Sequence, residues 1–140
     1  PVACLIPFDT EEEAVRLVSA SCTPQQLAKL DFFRDLNAWG GKGGFVAYNR
    51  EFHVGLASLC PNRRIAAAAQ DLIEQFDRLV IISVSKIDNR NVDGLVKEHG
   101  AIIEAIQARQ GRRAARLLGQ HVGRARKRVI KSLSQAAIVP

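Results

Sequence analysis

Three histidines and one asparagine are the residues of this chain whose types and spacing point to chemistry. Asn49 and His53 stand four apart in Tyr48-Asn49-Arg50-Glu51-Phe52-His53, which on a helix puts both on one face. The other two histidines, His99 and His121, each fall in the apolar stripe of a later helical segment. An imidazole on an apolar face is hydrogen-bonded, buried neutral at a cost, or bound to a metal. Each one alone reads as a satisfied core residue. Together, one amide oxygen and three imidazole nitrogens suit a divalent ion, Zn²⁺ first, with Ni²⁺, Mn²⁺ or Fe²⁺ also accommodated. Spacing alone leaves the two readings level.

The site exists only if helices bring these residues together. Residues 1–8 read as an extended entry with Pro1 and Pro7 as breakers. Thr10 and Glu13 have capping-box spacing, so a first helix is expected from there to about Ala20. Thr23-Pro24-Gln25-Gln26 repeats the start signal, and Leu27, Leu30, Phe33 and Leu36 carry a second helix to about Ala38. Gly40-Gly41-Lys42-Gly43-Gly44 is a plain flexible connection. It fails the phosphate-loop pattern because Gly43, not Ser or Thr, follows Lys42, and no strand precedes it. A third helix over about Phe45–Leu59 aligns Asn49, Phe52, His53 and Leu56. Pro61-Asn62 ends it and opens a long buried fourth helix from Arg63 to about Ser85. The β-branched run from Val80 to Val84 has no partner strand, which argues against a strand there. After a polar loop from Asp88 to Gly94, Asp93 is expected to cap a fifth helix with Leu95, His99, Ile102, Ile103 and Ile106 inward. Past Gln110-Gly111, the last helix turns Ala114, Leu117, Leu118, His121, Val122, Ala125 and Val129 inward. The expectation is one all-α domain over residues 1–140: an antiparallel bundle of about six to seven helices around a central ligand and metal cavity, reached from the third, fifth and sixth.

Composition narrows the classes. Hydrophobic residues at 47% and charged ones at 24% are ordinary for a soluble globular domain. No apolar run approaches the roughly 18 residues that a membrane span needs. The start of the chain has no secretory pattern, and Cys4, Cys22 and Cys60 are odd in number and without CxxC pairing. These features point to the cytoplasm. Net charge is +6, unevenly placed: all fourteen acids lie at or before Glu104, and nine Lys/Arg follow from Arg109 to Lys131. That run is either the solvated face of the last helix or an electrostatic surface for nucleic acid or an acidic partner. Few aromatics accompany it, which disfavours a single-strand stacking platform.

Asn49-Arg50-Glu51-Phe52-His53 resembles the D-x-x-F-H motif of the FCD domain, the C-terminal effector-binding domain of the FadR branch of GntR-type bacterial transcription regulators. Cys60-Pro61-Asn62 stands at that family's small-residue turn. Glu98-His99 with Ile102, Ile103, Ala105 and Ile106 resembles its E-H-x-x-I-[IL]-x-A-[IL] segment, and Gly111, Ala114 and His121 continue the pattern. Glu11 to Ala20 is similar to its opening helix. The resemblance implies metal ligation by Asn49, His53, His99 and His121, completed by a small carboxylate effector. It also implies a homodimer, and a DNA-binding winged helix-turn-helix on the N-terminal side, which none of these 140 residues resembles.

The chain departs from the pattern in three places. Asn49 stands where most members have Asp, which removes one negative charge. Arg112 follows Gly111 where Asp is usual, and Pro7-Phe8 occupies a region that often carries Arg. An anionic effector needs a counter-charge, and Arg78 is the first candidate, with Arg16 second, because a guanidinium can hold a carboxylate with two hydrogen bonds. The expected role is therefore sensing without catalysis. The alternative is a metal-dependent enzyme on the same three histidines. Such an enzyme needs a general base beside the ion, whereas Glu98 and Glu51 do not share a helix face with His99 and His53.

Overall fold

The computed structural model of the chain describes residues 7–84 and 89–138. It is all-α: α1 (Pro7–Ser21), α2 (Pro24–Ala28), α3 (Phe45–Ser58), α4 (Arg63–Val84), α5 (Asn89–Gln107) and α6 (Gly111–Ile138), with three short 3₁₀ turns and no strand among the described residues. The helix α1 lies against α6 and α4, α3 against α4, and α5 against α6. Their shared core holds Ala14, Val15 and Val18 of α1, Phe52 and Leu56 of α3, Ile102, Ile103 and Ile106 of α5, and Leu118 of α6, all buried. Each large apolar side chain removed from water in this way contributes roughly 1.5–3 kcal/mol before entropy is counted. No described helix is long and apolar enough to cross a membrane.

Two element boundaries move from their expected places. Thr10 caps nothing: α1 already begins at Pro7, where a proline costs no hydrogen bond, and Thr10 is buried within the helix. Likewise α5 starts at Asn89, so Asp93 is inside it. Of the loop expected over Asp88–Gly94, Asp88 lies outside the described residues and the remainder is helical. The entry segment 1–6 and Ser85 also lie outside them. Elsewhere the caps form as read. Thr23 Oγ1 accepts from the Gln26 amide at 3.2 Å while Gln26 Oε1 takes the Thr23 amide at 2.8 Å. Asn62 Oδ1 accepts the first amides of α4 from Arg64 and Ile65, both at 3.1 Å.

The expected second helix is corrected more deeply. The α-helix stops at Ala28 and gives way to 3₁₀ turns over Lys29–Phe33 and Leu36–Trp39. Leu27, Leu30, Phe33 and Leu36 are spaced strictly by three, which is the 3₁₀ repeat and drifts around an α-helix. Between the turns Asp35 is extended, with φ −128° and ψ 110°, and its carboxylate accepts from the Asn37 amide at 2.9 Å. The glycine run that follows forms a 3₁₀ turn over Gly41–Gly44. Gly40 sits at φ 86°, and a Cβ on Gly44 would collide with the Trp39 carbonyl. This tight geometry stacks Trp39 on Phe33, with ring centroids 5.5 Å apart, at the edge of the future site.

The fourth helix is less buried than its sequence suggests. Ala66 and Ala69 are buried, Leu72, Ile73 and Phe76 only half so, and Leu79 and Ile81 are exposed. Only one side of α4 is covered, by α1 and α3, with a smaller contribution from α6.

Candidate metal centre

The three histidines converge. His53 on α3, His99 on α5 and His121 on α6 are all buried, and one nitrogen from each lies within 4.8 Å of the others. The helices achieve this because each histidine occupies the apolar stripe of its own helix. His99 stacks on Phe52 with centroids 4.0 Å apart, and His53 stacks on His121 at 5.5 Å.

Each imidazole is also held from behind, by a different residue. His53 Nδ1 meets Glu11 Oε1 at 2.5 Å, His99 Nδ1 meets the Tyr48 hydroxyl at 2.9 Å, and His121 Nδ1 faces Glu98 Oε1 at 3.3 Å. These partners set the tautomers. Tyr48 spends its one proton on the Phe33 carbonyl at 2.8 Å, so toward His99 it can only accept. His99 therefore carries its proton on Nδ1 and presents a lone pair at Nε2. Carboxylates likewise accept, so His53 and His121 also donate from Nδ1. In a neutral ring this leaves Nε2 as the lone-pair nitrogen, free to bind a cation. His99 Nε2 and His121 Nε2 stand 2.9 Å apart with no proton assigned between them. A cation resolves that confrontation.

The electrostatics agree. Burial pushes the His99 imidazole well below its ordinary range, and the fields of His121 and His53 push the same way. Burial lowers His121 too, against the opposing pull of Glu98. Burial would raise the Glu98 carboxyl, but hydrogen bonds from His121 and Arg124 hold it down to about 2. Arg124 grips Glu98 Oε2 through Nε at 3.0 Å and Nη2 at 2.7 Å, so the carboxylate is anchored on its outer side. Burial raises the Tyr48 phenol, which keeps it a neutral acceptor at any physiological pH.

The donor set fits a first-row divalent ion. Two nitrogens bound at about 2.1 Å to one ion lie roughly 3 to 4 Å apart, and the cluster is on that scale. Asn49, one turn before His53, is half-buried and makes no hydrogen bond to the imidazoles among the described contacts. Arg78 is exposed on α4. Arg16 is exposed on α1 and paired with Glu13 through Nε at 3.0 Å.

Sequence reasoning missed the outer partners. Glu11 read as one of three acids suited to a helix start, and nothing local distinguishes it from Glu12 or Glu13. Glu98 adjoins His99 and does not share its face, yet its partner is His121 on the next helix. Tyr48 carried one available signal, a lone tyrosine one turn ahead of Phe52 on the same stripe.

A helical bundle with three inward imidazoles, each oriented by another side chain, is the class of fold and site that can hold a divalent ion. Comparison with family models matches residues 11–124 to the FCD domain, a span that includes Glu11, Asn49 and all three histidines. The chain belongs to this family, the effector-binding regulatory domain of GntR-type regulators. Comparison with curated proteins gives no match, and comparison with solved structures gives none.

Proposed function

We propose that this domain binds a divalent metal ion through His53, His99 and His121, with Asn49 as a weaker fourth ligand, and that a small carboxylate effector completes the site. The observation that carries this reading is the set of three Nδ1 partners that leaves Nε2 of each neutral ring as its lone-pair nitrogen. Zinc is the first candidate, with nickel, manganese or iron suited to the same donors.

An anionic effector needs a cation in reach besides the metal. Arg78 and Arg16 are candidates from the sequence, both at the surface. A third is Arg128, seven residues beyond His121 and thus on the same side of α6, whose Nε is buried without a hydrogen-bond partner. Burial lowers its pKa while the field of Glu98 raises it, which places the guanidinium near the acid that holds His121. A desolvated guanidinium gains most from a carboxylate.

In the regulator, effector binding would alter helix packing and be passed through a homodimer to a DNA-binding winged helix-turn-helix in the cytoplasm. Only a difference in effector affinity between two states can do this, typically about 1–3 kcal/mol of coupling. Exposed Leu79 and Ile81 on α4, with Ile130 and Leu133 on α6, offer apolar surface for the dimer.

Elemental analysis with native mass spectrometry of the purified domain tests the reading. The expected result is one divalent ion per chain in a dimer, with mass added by a small carboxylate. A domain free of metal that takes up none from added zinc would overturn it.

A further inference from the structure

Glu11 is an acid held in the interior beside the histidines. It is 6% exposed, sits at the start of α1, and spends its carboxylate on one partner, His53 Nδ1, which is 8% exposed. The other acid at the site, the half-buried Glu98 against His121, also has Arg124 to balance it. No Lys or Arg is bonded to Glu11 among the described contacts. A carboxylate kept in the interior is costly, because a single imidazole N–H returns only part of its lost hydration. A divalent ion on the far nitrogen of the same ring changes that balance: it polarises the N–H and gives the acid a positive charge to face.

The ligand set has the converse shortage. Three neutral imidazoles and the amide of Asn49 bring no negative charge to a doubly charged ion. We infer that Glu11 is the positioning residue that supplies this charge, acting through His53 from α1 in place of an acidic side chain at position 49. It holds the ring with its lone pair on Nε2 and raises the basicity of that nitrogen. The inference rests on the metal reading above and adds a residue to it. It also makes α1 part of the site: the helix that lies along α6 and α4 cannot shift without moving the carboxylate off His53. Metal binding and the seating of α1 are thereby coupled.

The test uses the full 140-residue chain and zinc, with affinity read by competition against a chromophoric chelator. Glu11→Gln removes the charge and nearly keeps the shape. It should weaken zinc binding roughly 10- to 100-fold, the usual cost of losing such an outer partner. Adding Asn49→Asp to Glu11→Gln should recover most of that loss, because the missing charge returns at the neighbouring position. The single variant Asn49→Asp, in a chain that still has Glu11, should gain less than about tenfold, since one such charge is worth only about 10- to 100-fold and is already present. In the metal-free domain the ¹⁵N spectrum of the His53 ring should show the Nδ1–H tautomer, and Glu11→Ala should shift it toward a mixture.

Wild-type zinc affinity in Glu11→Gln overturns the role of Glu11 and leaves the metal site standing. So does a loss that Asn49→Asp fails to recover. If Glu11→Gln does not fold, Asn49→Asp decides alone: a gain above about tenfold would mean that the charge was missing, and the inference fails. A wild-type chain that binds no zinc overturns the metal reading itself.

Discussion

The two ends of α1 both make buried polar contacts, but of opposite kinds. At its C-terminal end every donor meets an acceptor. The Ser19 hydroxyl donates to the Ile106 carbonyl at 3.2 Å, and Arg109 returns the favour, its Nη1 reaching the carbonyls of Ser19 at 3.1 Å and Cys22 at 2.6 Å. Arg109 takes the left-handed φ of 61° to end α5, with its amide on Ile106 and the Gln110 amide on Ala105. The ends of two helices cap each other, and nothing is left over. At the N-terminal end, Glu11 holds His53 beside a pair of imidazole nitrogens, His99 Nε2 and His121 Nε2, that face each other at 2.9 Å. Burial alone does not separate these regions. The count of donors against acceptors does: a closed count marks structure, and an open one marks a place for something else.

The largest expected effect breaks the open end. His121→Ala should abolish zinc binding, dropping stoichiometry from one per chain to near zero by elemental analysis, while the helical circular dichroism spectrum is kept. His99→Ala should do the same to binding and cost more stability, because it also empties a fully buried position and takes away the donor to the Tyr48 oxygen. Normal metal content in both variants would dissolve the distinction between the two ends. Chelation should act in the same direction on the wild type. An ion present at a thousand times its dissociation constant adds about 4 kcal/mol to stability, and removing it should lower the melting temperature accordingly.

Next in size is a pH effect on the metal-free domain. His99 and His121 stay neutral in the fold below the ordinary histidine range, whereas in the unfolded chain they protonate near 6.5. Below that value the unfolded state binds more protons, so stability falls as pH falls, by up to about 1.4 kcal/mol per pH unit for each histidine. Denaturant melts at pH 7.5 and 5.5 should show the loss, and a flat profile would mean that the cluster already carries protons in the fold.

The closed end should respond differently. Arg109→Ala removes two hydrogen bonds from a charged donor and leaves carbonyls of α1 uncapped, at a cost of roughly 2 kcal/mol. Zinc affinity should stay within about twofold, since no contact in this cap touches the histidines. A large loss of affinity would show that the two ends of α1 are coupled through the helix, not separate.

Much of this was legible in the sequence because the helical period is. The stripes of α3, α5 and α6 place His53, His99 and His121 inward without knowledge of any partner, and the caps at Thr23 and Asn62 announce their helices. What stayed hidden depends on contacts between helices. Glu98 looks misplaced beside His99 until α6 is docked against α5, and Glu11 looks like a surface acid until α1 is laid against α3. The break after Ala28 was readable in principle, since a run of apolar residues spaced by three belongs to a 3₁₀ turn. Period alone does not say that tertiary packing of Phe33 against Trp39 will pick the tighter form.

The smallest expected effect concerns Asn49. It shares the face of His53, but an amide oxygen is a weak partner for a divalent ion next to three imidazoles, and it brings no charge. Asn49→Ala should therefore lower zinc affinity by less than about tenfold, far below the loss expected from either histidine. The half-buried position of Asn49 leaves room for the shorter side chain without a core cavity, so stability should hardly change. A loss as large as that of His121→Ala would promote Asn49 to an equal ligand. The charge shortage would then be met at the ion through the amide dipole, and the open end of α1 would matter less than its geometry suggests.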